Sequence, residues 1–168
     1  TETVHWHAVL TASRAEKKVR DRLEELGVEC FLPVQTVLRQ WTYRKSRVVV
    51  PVIAGLVFVR EGRQEQVKAL QTKGGGALRL KGEAGAAVIP DKQMEDFRFL
   101  LDFSEEAVEM TNENIKAGDL VRVVKGSLRG MEGELIRHKG VTKVLVRIDM
   151  LGCAMVNIPA SFVEKLNK

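Results

Sequence analysis

The stretch "AGDLVRVVKGSLRGMEGELI", residues 117–136, decides how the C-terminal third of the chain is read. Four glycines, Gly118, Gly126, Gly130 and Gly133, punctuate short β-branched runs. Gly126 and Gly130 bracket a tight turn, and Gly133 permits a bulge or a close approach of two backbones. Further on, Val144, Val146 and Ile148 alternate with Lys143, Arg147 and Asp149, the pattern of a half-buried strand. Strands are expected at 120–124, 134–138, 143–149, 154–158 and 162–164. Short strands at this spacing, with no intervening helix, predict a small closed barrel of SH3-like type.

Upstream the pattern changes. A strand is expected at 6–11, followed by a helix in which Ala15, Val19, Leu23 and Leu26 form one apolar stripe. Ser13 and Glu16 have the spacing of a capping box, and Gly27 the place of a left-handed residue closing the last turn. Two β-rich segments follow, "VECFLPVQTVLRQW" and "RVVVPVIAGLVFVR", joined by "TYRKS". Their Pro33 and Pro51 belong at strand starts, edges or bulges, because proline cannot donate to a ladder. A short helix at 64–71, a strand within "KGGGALRLKG", and a helix opening at Pro90 or Asp91 complete a β-α-β-β-α-β-α order. This predicts an α+β layer, an antiparallel sheet with flanking helices. Residues 104–114 are acidic and poor in core residues, so a linker is placed at 110–115, between domains at 1–109 and 116–168.

Charge is unevenly divided. Residues 1–81 carry 15 Lys and Arg against 8 Asp and Glu, residues 82–114 carry 2 against 9, and residues 115–168 carry 10 against 5. Two basic ends around an acidic middle suit contact with a polyanion, or simply a solvated surface of uneven composition. No apolar run approaches the ~20 residues needed to span a bilayer. A cytoplasmic protein with no membrane association is expected, with Cys30 and Cys153 as reduced, partly buried thiols. His5 and His7 share a strand face, yet no third ligand lies near to make a metal site. No nucleophile elbow, phosphate loop or dinucleotide fingerprint is present, so neither enzymatic activity nor a cofactor is expected.

The glycine-studded string resembles the KOW motif. Gly118, Asp119, Val121, Val123, Gly126, Gly130 and Gly133 stand at its spacing, while Ser127 and Leu128 replace its usual Pro-Phe pair. The N-terminal half resembles the N-terminal domain of the NusG family of transcription elongation factors. That resemblance rests on Trp6 in the first strand, Glu16-Lys17-Lys18 in the first helix and Phe31-Leu32-Pro33 in the second strand. It continues in the run from Ile53 to Val59 around Gly55, and in "AVIPDKQMEDF" at the last helix. "GVECFLP" and the basic "RQWTYRKSRVVVP" hairpin are most similar to the specialised bacterial antiterminators, RfaH and UpxY.

The resemblance implies a monomeric factor whose apolar N-terminal face grips the clamp helices of the largest RNA polymerase subunit. Matching positions are Ala8, Leu10, Ile53, Ala54, Leu56, Phe58, Met94 and Phe97. Ala8 and Leu10 share a strand face, as do Leu56 and Phe58, and an exposed patch of this kind marks a protein partner. Ala54 and Leu56 depart from the family's Pro and Tyr. Lys18 and Arg22 match a surface that faces the non-template DNA strand, and Arg44, Lys45 and Arg47 add candidate phosphate contacts. Trp41 is expected as a core anchor, with base stacking by Trp41 or Tyr43 as the alternative. In the KOW domain, Leu128, Leu151 and Cys153 fall at partner-binding positions. Leu151-Gly152-Cys153 replaces the housekeeping Phe-Gly-Arg, which disfavours Rho and leaves recruitment of a small-subunit ribosomal protein open. The competing reading is an RNA-binding, ribosome-associated KOW protein that does not bind polymerase.

Overall fold

A computed structural model describes residues 5–12, 14–61, 79–80 and 88–166. In chain order these form β1 (His5–Leu10), α1 (Glu16–Glu25), β2 (Glu29–Phe31), β3 (Val34–Gln40), β4 (Lys45–Pro51), β5 (Leu56–Glu61) and β6 (Arg79–Leu80). They are followed by α2 (Asp91–Phe103), β7 (Glu109–Thr111), β8 (Asp119–Val123), β9 (Glu132–His138), β10 (Val141–Ile148), β11 (Gly152–Asn157) and β12 (Val163–Lys165). The chain divides into two compact units, Thr1–Val34 with Val49–Asp91, and Gln35–Val48 with Lys92–Lys168.

The first unit is built on an antiparallel sheet in the order β2-β5-β1-β6. One face is closed by α1, whose Val19 and Leu23 pack with Val9, Val28, Leu32, Val57 and Val59. Of the stripe read from sequence, Val19 and Leu23 enter the core and Ala15 packs against it, while Leu26, at the C-cap, is 54% exposed. Gly27 adopts φ +76°, and the end of α1 is sealed by Gly27 N–H to Glu24 O and Val28 N–H to Leu23 O. These are the two bonds of a Schellman motif, and only a residue free of a Cβ enters that conformation cheaply.

The Ser13 half of the expected capping box lies outside the described residues, and the N-cap is Ala15, with no side-chain cap bond among the described residues. Glu16 is buried, and its carboxylate accepts the Gly55 N–H at 2.8 Å. Gly55 has φ +71° and its carbonyl accepts Thr11 N–H at 2.8 Å. A buried amide needs an acceptor, and a charged one serves it better than water at a partly closed turn.

Each expected β-rich segment proves to be two strands, broken beside a proline. Pro33 separates β2 from β3, and Pro51 ends β4 before β5 begins. Neither proline could continue a ladder in both directions. The helix expected at 64–71 lies outside the described residues, and only Arg79–Leu80 of the glycine-rich segment is described, as β6.

The second unit carries six antiparallel strands in the order β12-β8-β9-β10-β11-β7. Inward-facing Val121, Val123, Val144, Val146, Ile148, Ala154 and Val156 are buried, as the alternation requires. Lys139 (φ 52°) and Gly140 (φ 79°) make the two-residue turn between β9 and β10, the geometry that matches strand twist. A Cβ at Gly118 would collide with the Leu135 carbonyl oxygen. Gly126 and Gly130, with φ +86° and +96°, hold the turn between β8 and β9. The segment read as a linker does not stand apart from this unit: Val108 is buried and Glu109–Thr111 pairs with β11. The Gln35 side chain, in the same unit, brackets Val108, accepting its N–H at 3.0 Å and donating to its carbonyl at 3.1 Å.

Candidate functional site

The pairing of β1 with β5 sets Ala8 opposite Phe58 and Leu10 opposite Leu56. In an antiparallel pair, opposed residues share a face, so these four sequence-predicted positions lie together on the side of the sheet away from Val9 and Val57. Phe31, opposite Phe58 on β2, joins them with its ring stacked 6.3 Å away. Ile53 and Ala54 stand in the turn just before β5, next to Gly55, which the bonds to Glu16 and Thr11 hold. Met94 and Phe97 lie one turn apart on the buried side of α2, with Leu100, in the other unit.

Exposure corrects the expectation of an open apolar patch. Ala8 (2%), Leu56 (2%), Phe58 (0%), Met94 (1%) and Phe97 (0%) are closed from water. Leu10 and Ile53 are half-buried, and Ala54 is exposed. Rings and branched chains of this size gain about 1.5–3 kcal/mol each from burial, so the fold encloses them where it can.

The basic candidates are accessible. Lys18 is exposed and Arg22 half-buried on α1, and Arg44, Lys45 and Arg47 are exposed at the tip of the β3–β4 hairpin. The hairpin also corrects the core-anchor reading of Trp41, which is 48% exposed, beside Tyr43 at 95%. The Trp41 indole donates to Ser46 Oγ, and its backbone N–H to Arg44 O, so the tip is folded on itself with its aromatics outward.

In the C-terminal unit, Leu128 and Cys153 are buried and Leu151 is half-buried. The three are not equivalent. Cys153 belongs to an outward-facing cluster with Leu145 and Met155, covered by Ile115 and Ile136. Above it Arg147 donates to both Glu134 carboxylate oxygens, at 2.7 and 3.1 Å, and to the Ile115 carbonyl at 2.8 Å. Burial by itself raises the Glu134 carboxyl, but the bonds from Arg147 and from Gly118 N–H outweigh it and hold it below the usual range. Burial raises the Cys153 thiol, and it pushes Cys30 up to about 11 with help from Glu24. Both cysteines are free, and Cys30 Sγ lies 3.7 Å from Arg20 O.

Sequence reasoning did not single out Glu16, Gln35, Glu134 or Ile115 for these roles. Glu16 had a signal of another kind, an acidic residue at a helix start, which fits a cap as well as a tertiary bond. Gln35 and Ile115 carried none, since their partners lie 73 and 32 residues away. Among the described residues, no group of three or more His, Cys, Asp or Glu could hold a metal ion, and no helix is long and apolar enough to cross a membrane.

Comparison with known proteins agrees with this architecture. Among solved structures, one described as "Domain interaction in Thermotoga maritima NusG" has a TM-score of 0.52 and 20% identity, covering 98% of each chain. At that identity the likeness establishes the fold. No curated protein matches the chain. The family model described as transcription termination factor nusG matches residues 4–98, more than half of the sequence and the whole β1–β5 region. That span includes every strand and turn that builds the face, and the chain belongs to the NusG family of transcription factors.

Proposed function

We propose that the chain is a transcription elongation and antitermination factor that binds RNA polymerase through its N-terminal region. Its C-terminal strands then act as a KOW-type module that recruits a second partner. The observation that carries this reading is the register of β1 on β5, which gathers Ala8, Leu10, Leu56 and Phe58 on one face beside the Gly55 turn in a NusG-family chain. Of the eight sequence-predicted polymerase-binding positions, Leu10, Ile53 and Ala54 are those that water reaches, and they form the contact with the clamp helices. Ala8, Leu56 and Phe58 support them from beneath, and Met94 and Phe97 serve α2 in the same way.

The mechanism is linkage, with no bond made or broken. A factor that binds the closed, elongating polymerase better than the opened, paused form shifts the equilibrium by its differential affinity alone. A tenfold preference corresponds to about 1.4 kcal/mol. Lys18, Arg22, Arg44, Lys45 and Arg47 add sequence-independent contacts to the non-template DNA strand. Trp41 or Tyr43, both exposed on the β3–β4 hairpin, stacks on an unpaired base. The Leu128 and Leu151-Gly152-Cys153 substitutions disfavour Rho and so favour an antiterminator over a terminator, and "GVECFLP" with the basic hairpin favours one of the RfaH and UpxY kind.

The test is a single-round transcription assay across a known pause site with purified full-length chain. A shortened pause lifetime is the expected result. Binding to free RNA with a steep salt dependence, and no effect on pausing, would instead favour the ribosome-associated reading.

A further inference from the structure

The segment between α2 and β8 lies across the outer face of the C-terminal strands as a bound peptide would. Glu109–Thr111 extends the sheet, with Thr111 opposite Cys153, Met110 opposite Ala154 and Glu109 opposite Met155. Alternation puts Glu109 and Thr111 on the Cys153 and Met155 side. Four residues on, Ile115 packs onto Leu145, Cys153 and Met155. Polar groups frame this track: Lys143 Nζ is 3.3 Å from Glu109, His138 Nε2 is 3.2 Å from Glu113, and Arg147 donates to the Ile115 carbonyl. A Cβ at Gly152 would collide with the Thr111 carbonyl oxygen, so the absence of a side chain there is what lets a strand approach.

We propose that this face is a docking groove for an extended acidic segment of a partner protein, and that residues 109–115, "EMTNENI", occupy it as an internal surrogate. The inference rests on reading the C-terminal strands as a recruiting module. The groove itself states what it accepts. Lys143 is nearly enclosed, its side chain 9% exposed, and a buried ammonium requires an anion opposite it. A partner therefore needs a carboxylate at the Glu109 position, a second four residues on, and an apolar side chain two beyond that. A cation in the first place is rejected by Lys143, which supplies selectivity against basic segments. The surrogate holds only three residues in the ladder, shorter than an ordinary strand, so a longer partner strand with the same side chains can displace it.

The probe is a fluorescein-labelled peptide of residues 107–117, titrated into the full chain and into a Glu109→Gln/Ile115→Asn variant whose own surrogate is weakened. The variant is expected to bind the peptide at least tenfold more tightly than the wild-type chain. Its β11 amides, faster to exchange than in wild type, are expected to regain protection on binding. A peptide with both glutamates changed to glutamine is expected to bind at least tenfold more weakly. Equal affinity for both chains, no binding to the variant, or indifference to the peptide's charge would each overturn the proposal. Should the double variant lose protection throughout β8–β12, Glu109→Gln alone supplies the comparison, with an affinity between the two. Co-purification of the cellular partner with a Lys143→Met chain separates the two readings. Lost peptide binding with undiminished partner capture sinks recruitment through this face while leaving the groove itself intact.

Discussion

Replacing Glu16 with alanine tests whether one buried carboxylate positions the turn that carries Ile53 and Ala54. The Glu16 side chain reaches across 39 residues to accept the Gly55 N–H at 2.8 Å, and Gly55 is locked in turn by its carbonyl bond from Thr11. A hydrogen bond to a charged group contributes roughly 1.5–3 kcal/mol. Gly55 is only half-buried, so water can partly replace the lost acceptor, which places the cost near the lower end, about 1.5–2 kcal/mol. Converted at 1.4 kcal/mol per tenfold, the Gly55 amide should exchange about 10–30 times faster in the variant. Glu16→Gln keeps an oxygen acceptor without the charge and should raise exchange by only about 2–5-fold. Helix α1 loses a favourable acidic residue from its first turn, a smaller effect of about 0.3–1 kcal/mol. Residue-resolved hydrogen exchange on the full chain reads all three effects at once. If Gly55 exchanged at the wild-type rate in Glu16→Ala while α1 frayed, Glu16 would be a helix-start residue after all and the turn would owe it nothing.

Arg147→Met should lower the stability of the C-terminal unit at pH 7, read by urea denaturation, by about 2 kcal/mol. It removes two charge-assisted bonds from a carboxylate that is 15% exposed, a loss discounted because Arg147 itself is 35% exposed. Because the folded Glu134 carboxyl lies below its unfolded value, this contribution is complete above the unfolded pKa, about 4.3, and lost as pH falls through the lower folded value. The gap between variant and wild type should therefore narrow at pH 3; a constant gap would contradict the pairing. Cys30, with its pKa raised to about 11, should react with iodoacetamide at pH 8 on the order of a hundredfold more slowly than an unperturbed thiol. Phe58→Ala should destabilise the first unit by about 3–5 kcal/mol, read by denaturation. A cost under about 1 kcal/mol would mean that the face is loosely packed. Changing Lys18, Arg44 and Lys45 together to alanine should reduce the salt slope of single-strand DNA binding by roughly 0.7 for each phosphate these side chains neutralise, and an unchanged slope would remove them from any DNA track.

Local rules carried the sequence reading as far as local rules reach. The α1 stripe, the Gly27 terminator, the start of α2 at Asp91 and the glycine turn between β8 and β9 were legible because each depends on residues a few positions apart. That Ala8, Leu10, Leu56 and Phe58 share one face was legible in pairs, from strand alternation, and needed the β1–β5 register to become a surface. Exposure was not legible. Whether Leu56 faces water or protein depends on what the folded chain places over it, and periodicity alone cannot supply that. Trp41 failed for the complementary reason: aromatic residues are usually enclosed, but a hairpin tip has no second layer to enclose them. Residues 110–115 read as a linker, just after Glu109, because Asn112, Glu113 and Asn114 promise little burial. Their partners, Lys143, His138 and Arg147, lie 25 to 34 residues further along.

The central claim is that this chain engages RNA polymerase through the accessible end of the β1–β5 face. Its most direct test is the affinity of a reconstituted elongation complex for the full chain, compared with Ala54→Glu. Position 54 is exposed and lies in a turn, so the substitution should leave stability within about 0.5 kcal/mol. The account predicts saturable binding by the wild-type chain and at least a tenfold loss in Ala54→Glu. Undiminished binding by the variant, or no binding by either well-folded protein, would contradict it.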